Sequence, residues 1–129
     1  MRCLTLHKIG TSKALGELPP YNARYMLRPE TVESLFIAYR LTGDERYRDH
    51  GWNIFQAIEK HCRVDTGGYT TIINVDEIPT RKEDKMETFF LSETLKYLYL
   101  LFSDDRVLPL DGYVLNTEAH PLPILPRTI

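Results

Sequence analysis

Three groups of side chains in this sequence have types and spacings that could support chemistry. The first is Arg28-Pro29-Glu30 with Glu33 one turn on. Glu30 and Glu33, three apart, share a helix face near its N-terminus, where unpaired backbone N–H groups favour negative charge. Two close carboxylates can separate their proton affinities and divide acid and base roles. The same pair also suits a plain acidic first turn that complements the helix dipole. The second group is Phe89 and Glu93, four apart in a segment that is otherwise almost all apolar. A carboxylate there needs a partner or a task, because isolated burial of charge is costly; the competing assignment is a solvated stripe shared with Lys96. The third is Asn116-Thr117-Glu118-Ala119-His120-Pro121, which offers hydroxyl, carboxylate and imidazole in one loop. Oxygen donors suit calcium, whereas a single His without a second at ligand spacing makes a poor zinc site. A capping or turn segment would use the same residues. His7, His50 and His61 are isolated, and Gly67-Gly68 is a turn rather than a phosphate loop, since no Lys-Ser/Thr follows.

The elements that must position these groups are mostly helical. Residues 27–41 predict a helix with Pro29 in its first turn and Val32, Leu35, Phe36 and Tyr39 as its buried stripe. Gly43 is the expected left-handed cap, and Asp44 caps a second helix over 45–61, the two forming an αα-hairpin. Its apolar positions are Tyr47, Ile54, Phe55 and Ile58. A short strand is predicted over 69–75, a loop over 76–84, and a third, longest helix over 85–103. That last helix is apolar around most of its circumference, the pattern of one buried from several sides. The tail from Val107 carries Pro109, Pro121, Pro123 and Pro126 and predicts irregular structure. The first twenty residues read as loop.

Composition narrows the function classes. Sixteen Lys plus Arg against eighteen Asp plus Glu give a net charge of -2 in 129 residues. That balance argues against a nucleic-acid or anionic-membrane binder. Hydrophobic residues at 43% are enough for a folded core rather than disorder. Only Cys3 and Cys62 are present, which excludes a disulfide scaffold. No apolar run approaches the ~18 residues of a membrane span. The N-terminal Met1-Arg2-Cys3-Leu4 lacks the apolar stretch of a signal peptide, so no targeting segment and no membrane contact are expected from these residues.

The three groups, taken together and in order, carry a resemblance. Leu27-Arg28-Pro29-Glu30-Thr31-Val32-Glu33-Ser34, Met86-Glu87-Thr88-Phe89-Phe90-Leu91-Ser92-Glu93-Thr94-Leu95-Lys96-Tyr97-Leu98 and Asn116-Thr117-Glu118-Ala119-His120-Pro121 resemble signatures of the class I α-1,2-mannosidases, glycoside hydrolase family 47. The resemblance runs from about Tyr25 to Ile124 and covers the C-terminal portion of the family's catalytic domain. Residues 1–20 form an unaligned segment, and 21–129 the part of the barrel. The implied fold is all-α with a small β element, a C-terminal fragment of an (αα)7 barrel.

The resemblance implies an inverting, calcium-dependent enzyme that trims terminal mannose from N-glycans in the secretory pathway (endoplasmic reticulum or Golgi lumen) or after secretion. The implied partner is a high-mannose N-glycan of a glycoprotein, with no nucleic acid, and the barrel is implied to be monomeric. Position by position, Glu30 resembles the general base and Arg28 a substrate-binding arginine. Phe89 resembles the aromatic that packs on the sugar ring, and Glu93 a carboxylate at the bottom of the pocket, with Glu118 also toward substrate. Thr117 resembles the direct calcium ligand, through hydroxyl and carbonyl, with Glu33, Glu93 and Glu118 holding calcium's waters. The family's general acid lies on upstream helices outside the matched stretch. The 129 residues alone are therefore expected not to hydrolyse mannosides. A non-catalytic glycan-binding relative in glycoprotein quality control and a bare helical interaction module are the alternatives.

Overall fold

The computed structural model describes residues 23–125. The loop expected over the first twenty residues, Cys3, His7 and Pro126 lie outside that range. Within it the chain forms α1 (Glu30–Thr42), α2 (Arg46–His61), β1 (Thr71–Ile72), β2 (Lys82–Glu83), a π-helical turn Phe90–Thr94 running into α3 (Leu95–Phe102), β3 (Tyr113–Leu115) and β4 (Pro121–Pro123). The structure is mostly helical with small sheets, as expected. It divides into two compact units, one from residues up to Leu27 and Asn53–Glu87, the other from Arg28–Trp52 and the residues from Thr88 onward.

The first two helices follow their local sequence signals. α1 begins after Pro29 and ends at Gly43, whose φ of 69° lets its N–H bond the Tyr39 carbonyl at 2.8 Å. Asp44 accepts the Arg46 N–H at 3.0 Å and so caps α2. The Arg46 side chain is hydrogen-bonded to the same carboxylate, which holds the Asp44 carboxyl below the usual carboxylate range.

In the first unit, Ile54, Ile58 and Cys62 of the later part of α2 are buried, as are Thr70, Thr71, Ile72 and Asn74. The predicted seven-residue strand is shorter. Successive N–H groups turn to opposite sides, Ile72 to Tyr25, and Thr71 and Ile73 to the carbonyls of Lys85 and Arg81, all at 2.9 Å. Only Thr71 and Ile72 pair in a regular ladder, and they do so with Lys82 and Glu83, inside the segment read as loop. The side chain of Asn74 then ends the strand by accepting the Asp76 N–H at 3.0 Å.

In the second unit, α1 packs on α3 and the π turn. Val32 and Phe36 meet Phe90, Tyr97, Leu98 and Leu101 as the core, with the Phe36 and Tyr97 rings 5.9 Å apart. The third helix starts later than the sequence predicts. The Lys85 carbonyl accepts the Thr71 N–H, which keeps this stretch extended beside the strand, and regular structure begins only near Phe89. Nor is the helix covered on most sides here: Leu91, Tyr99 and Phe102 are exposed.

The tail is not irregular. β3 and β4 pair antiparallel, Tyr113 with Pro123 and Leu115 with Pro121. The bonds Asn116 N–H to His120 carbonyl (3.1 Å) and Ile124 N–H to Gly112 carbonyl (2.9 Å) fix the bonding positions at every second residue. Pro121 and Pro123 fall between them, where the missing N–H costs no ladder bond. Among the described residues, no helix is long and apolar enough to cross a membrane.

Candidate active site

Every residue singled out for chemistry lies in the second unit. Leu27, fully buried, takes a left-handed φ of 62° and turns the chain into Arg28. Pro29 then opens α1, its carbonyl accepting the Glu33 N–H at 2.9 Å. Glu30 is therefore the first residue of the helix, with Glu33 one turn further along. The Arg28 guanidinium pairs with the Glu30 carboxylate at 3.5 Å and stands 5.7 Å from the centre of the Phe89 ring. One arginine thus links the two groups that the sequence places sixty residues apart. Arg28 and Glu30 both keep more than half of their side-chain surface open to solvent, so both can reach a ligand.

Glu93 sits in the π turn, whose Phe90 carbonyl accepts the Leu95 N–H five residues on. π turns recur at functional positions because the extra residue redirects side chains. Partial burial pushes the Glu93 carboxyl up, and the negative charges of Glu118, Glu30 and Glu33 push it further, opposed by the Lys96 ammonium. Carboxylates from α1, the π turn and the tail are therefore close enough to repel one another. Burial first, then the negative charge of Glu33, raise the Tyr97 hydroxyl beside them.

Thr117 and Glu118 form the exposed tip of the β3–β4 hairpin. The Asn116 side chain builds that tip: its Oδ1 accepts the N–H of Glu118 at 3.0 Å and of His120 at 2.8 Å. Ala119 is fully buried with a left-handed φ of 56°, and its carbonyl accepts the Lys96 ammonium at 2.8 Å. Sequence reading gave neither Asn116 nor Lys96 a task of its own. The signal for Asn116 was present, an Asn two residues before a polar turn position. Lys96 stands three residues after Glu93 and is half-buried instead of forming a solvated stripe.

The donors at this site are a hydroxyl, backbone carbonyls and carboxylates, the oxygen set that calcium takes. The mutual repulsion around Glu93 leaves a negative field that suits a cation. No three His, Cys, Asp or Glu among the described residues are grouped to hold a metal directly.

The second unit thus brings Glu30 and Phe89 to one arginine, and the charges of α1 and the hairpin tip to Glu93. Residues 7–124 match the family model for glycosyl hydrolase family 47, and the chain belongs to that family. The match extends into the first twenty residues.

The chain is 61% identical over 111 residues to a mannosyl-oligosaccharide 1,2-alpha-mannosidase of Arabidopsis thaliana, covering 86% of this chain and 18% of that protein. It is 60% identical over 111 residues to the endoplasmic reticulum mannosyl-oligosaccharide 1,2-alpha-mannosidase of Homo sapiens, covering 84% of this chain and 16% of that one. Among solved structures it resembles the alpha-1,2-mannosidase from Trichoderma reesei, with a TM-score of 0.74 and 40% identity over 80% of this chain and 22% of that one. The chain thus spans less than a fifth of the length of the curated relatives it matches.

Proposed function

We propose that the chain supplies the C-terminal part of an inverting, calcium-dependent α-1,2-mannosidase that trims terminal mannose from high-mannose N-glycans of glycoproteins. The observation that carries this reading is the convergence of three segments: Arg28 pairs with Glu30 and borders Phe89, and Glu30, Glu33 and Glu118 all lie within electrostatic reach of Glu93. The names of the relatives supply the substrate class and point to the endoplasmic reticulum. In the parent protein these residues form part of an (αα)7 barrel, acting as a monomer in the secretory pathway.

Glu30 serves as general base. Inversion requires a carboxylate that takes a proton from water on the face opposite the leaving group, with the two carboxyl groups roughly 6.5–9.5 Å apart to admit that water. The Arg28 guanidinium lies beside Glu30 at 3.5 Å, and Arg28 also binds substrate. Phe89 offers its ring to the apolar face of the sugar, beside the arginine that already borders it. Glu93 and Glu118 accept hydrogen bonds from sugar hydroxyls. Thr117 would hold calcium through its hydroxyl and carbonyl, and Glu33, Glu93 and Glu118 would hold waters around it. When bound, calcium supplies a fixed positive charge that orients hydroxyl groups at the site. The general acid comes from helices that the family resemblance places upstream, so these 129 residues alone release no mannose.

A chimera tests the reading. The matching segment of the human relative is replaced by residues 25–124 of this chain, and mannose release from a high-mannose glycan is measured. The expected result is calcium-dependent turnover, falling by about 10²–10⁴-fold in Glu30→Gln, the usual range for removing a general base. An inactive chimera that is folded, or a Glu30→Gln chimera with unchanged kcat, would refute it.

A further inference from the structure

We propose that Lys96 is a positioning residue that holds the hairpin tip in the shape that presents Thr117. This rests on the reading of Thr117 as a calcium ligand. The tip is a tight construction around a residue in an unfavourable conformation. Ala119 has a Cβ yet a φ of 56°, a region that costs a non-glycine residue free energy unless its surroundings enforce it. Asn116 Oδ1 enforces one side through the Glu118 and His120 N–H groups, and the Asn116 carbonyl accepts the Ala119 N–H at 3.0 Å. The opposite side of the turn, the Ala119 carbonyl, is held by the half-buried Lys96 ammonium at 2.8 Å. That hydrogen bond is charge-assisted, the stronger kind. It also spans 23 residues of sequence, tying the hairpin tip to α3 directly below the π turn that carries Glu93.

A positioning role and a purely electrostatic role make opposite demands. Lys96 is a positive charge facing Glu93, and Glu30, Glu33 and Glu118 act on the same carboxylate. If Lys96 acted on the site only through its charge, removing it would make the site more negative and tighten calcium binding. If it holds the turn, removing it loosens Thr117 and weakens binding in spite of the more negative field. The sign of the change separates the two roles.

The test uses the full chain as wild type, Lys96→Met and Lys96→Arg. Lys96→Met keeps most of the apolar stem without the donor, and Lys96→Arg keeps donor and charge. Hydrogen exchange of the Glu118 and His120 amides is read first, without metal, against the amides of Leu100 and Leu101 as a check that α3 stays folded. Exchange at the tip should quicken about tenfold or more in Lys96→Met, the loss expected for one charge-assisted bond, and return toward wild type in Lys96→Arg. Calcium titration by calorimetry should then show affinity lower by about tenfold in Lys96→Met and recovered in Lys96→Arg. Should Lys96→Met unfold, Lys96→Ala, which also removes the donor, takes its place in both measurements. Unchanged protection at the tip overturns the proposal, and so does calcium binding that is unchanged or tighter in the variant. If the wild type takes up no calcium while its tip loses protection in Lys96→Met, the calcium reading falls and the positioning role stands.

Discussion

Arg40, in the second unit, has only 3% of its side chain exposed. It leaves α1 to reach the chain just past the end of α3, where helix carbonyls have no partners of their own. Its guanidinium donates to the carbonyls of Leu100 at 3.2 Å, Asp105 at 2.9 Å and Val107 at 3.0 Å, and lies 5.1 Å from the centre of the Phe36 ring. Arg48 does similar work on the Leu101 carbonyl at 2.9 Å while stacking on Tyr39. No periodicity argument singles out either arginine, because each acts across sequence separations of more than fifty residues. Replacing Arg40 with Met keeps much of the apolar stem but strands several carbonyls and removes the positive charge from a helix C-terminus. The expected cost is about 2 kcal/mol, the range for losing hydrogen bonds to a charged group at partly exposed carbonyls. Urea unfolding of wild type and variant measures it. A change below about 0.5 kcal/mol would class the contacts with ordinary surface substitutions.

At the scale of elements, Gly51 inverts the usual effect of glycine in a helix. Gly to Ala inside a helix normally stabilises by roughly 0.5–1 kcal/mol. Here a Cβ on Gly51 would lie 2.3 Å from Cδ2 of Leu101, and Leu101 is itself fully buried. α2 therefore approaches α3 closely because position 51 has no side chain. Gly51→Ala should destabilise by about 1–3 kcal/mol through overpacking, read as a lower denaturation midpoint. A rise in stability would show that Leu101 moves aside freely. Elements of this kind divide by how local their causes are. α1, Gly43, Asp44 and α2 were legible because caps and stripes act within a few residues. The start of the third helix was not, because it depends on the Lys85 carbonyl being taken by Thr71. The β3–β4 pairing was hidden for a related reason: Pro121 and Pro123 read as breakers until the register places them between bonding positions. Arg28, Glu30, Glu33, Phe89, Glu93, Thr117 and Glu118 could each be named from the sequence as candidates. The approach of Arg28 to Glu30 and Phe89, and of Glu30, Glu33 and Glu118 to Glu93, was not in the spacing. Asn116 and Lys96 had no such pointer, because what they do is hold backbone.

For the molecule as a whole, the open question is what the apolar surface of the second unit is for. Leu91, Tyr99 and Phe102 lie on the helical stretch that also carries the candidate site, yet they are 56%, 64% and 43% exposed. Scattered exposed apolar residues need no explanation, but repeated ones on one helical stretch mark a face that meets something. On the proposed barrel reading the answer is the neighbouring helix pairs, since the matched relatives are more than five times the length this chain spans. That reading assigns opposite outcomes to one substitution in two settings. In the 129-residue chain, Leu91→Lys and Tyr99→Lys touch solvent and should shift stability by no more than about 0.5 kcal/mol. In the chimera with the human relative, the same changes would bury unpaired charge between helices. They should then cost at least about 2 kcal/mol each, read as a drop in the melting temperature and in active yield. Equal, small effects in both settings would mean that these side chains face water in the complete protein too. The barrel would then have to close around this segment along another face of the helix.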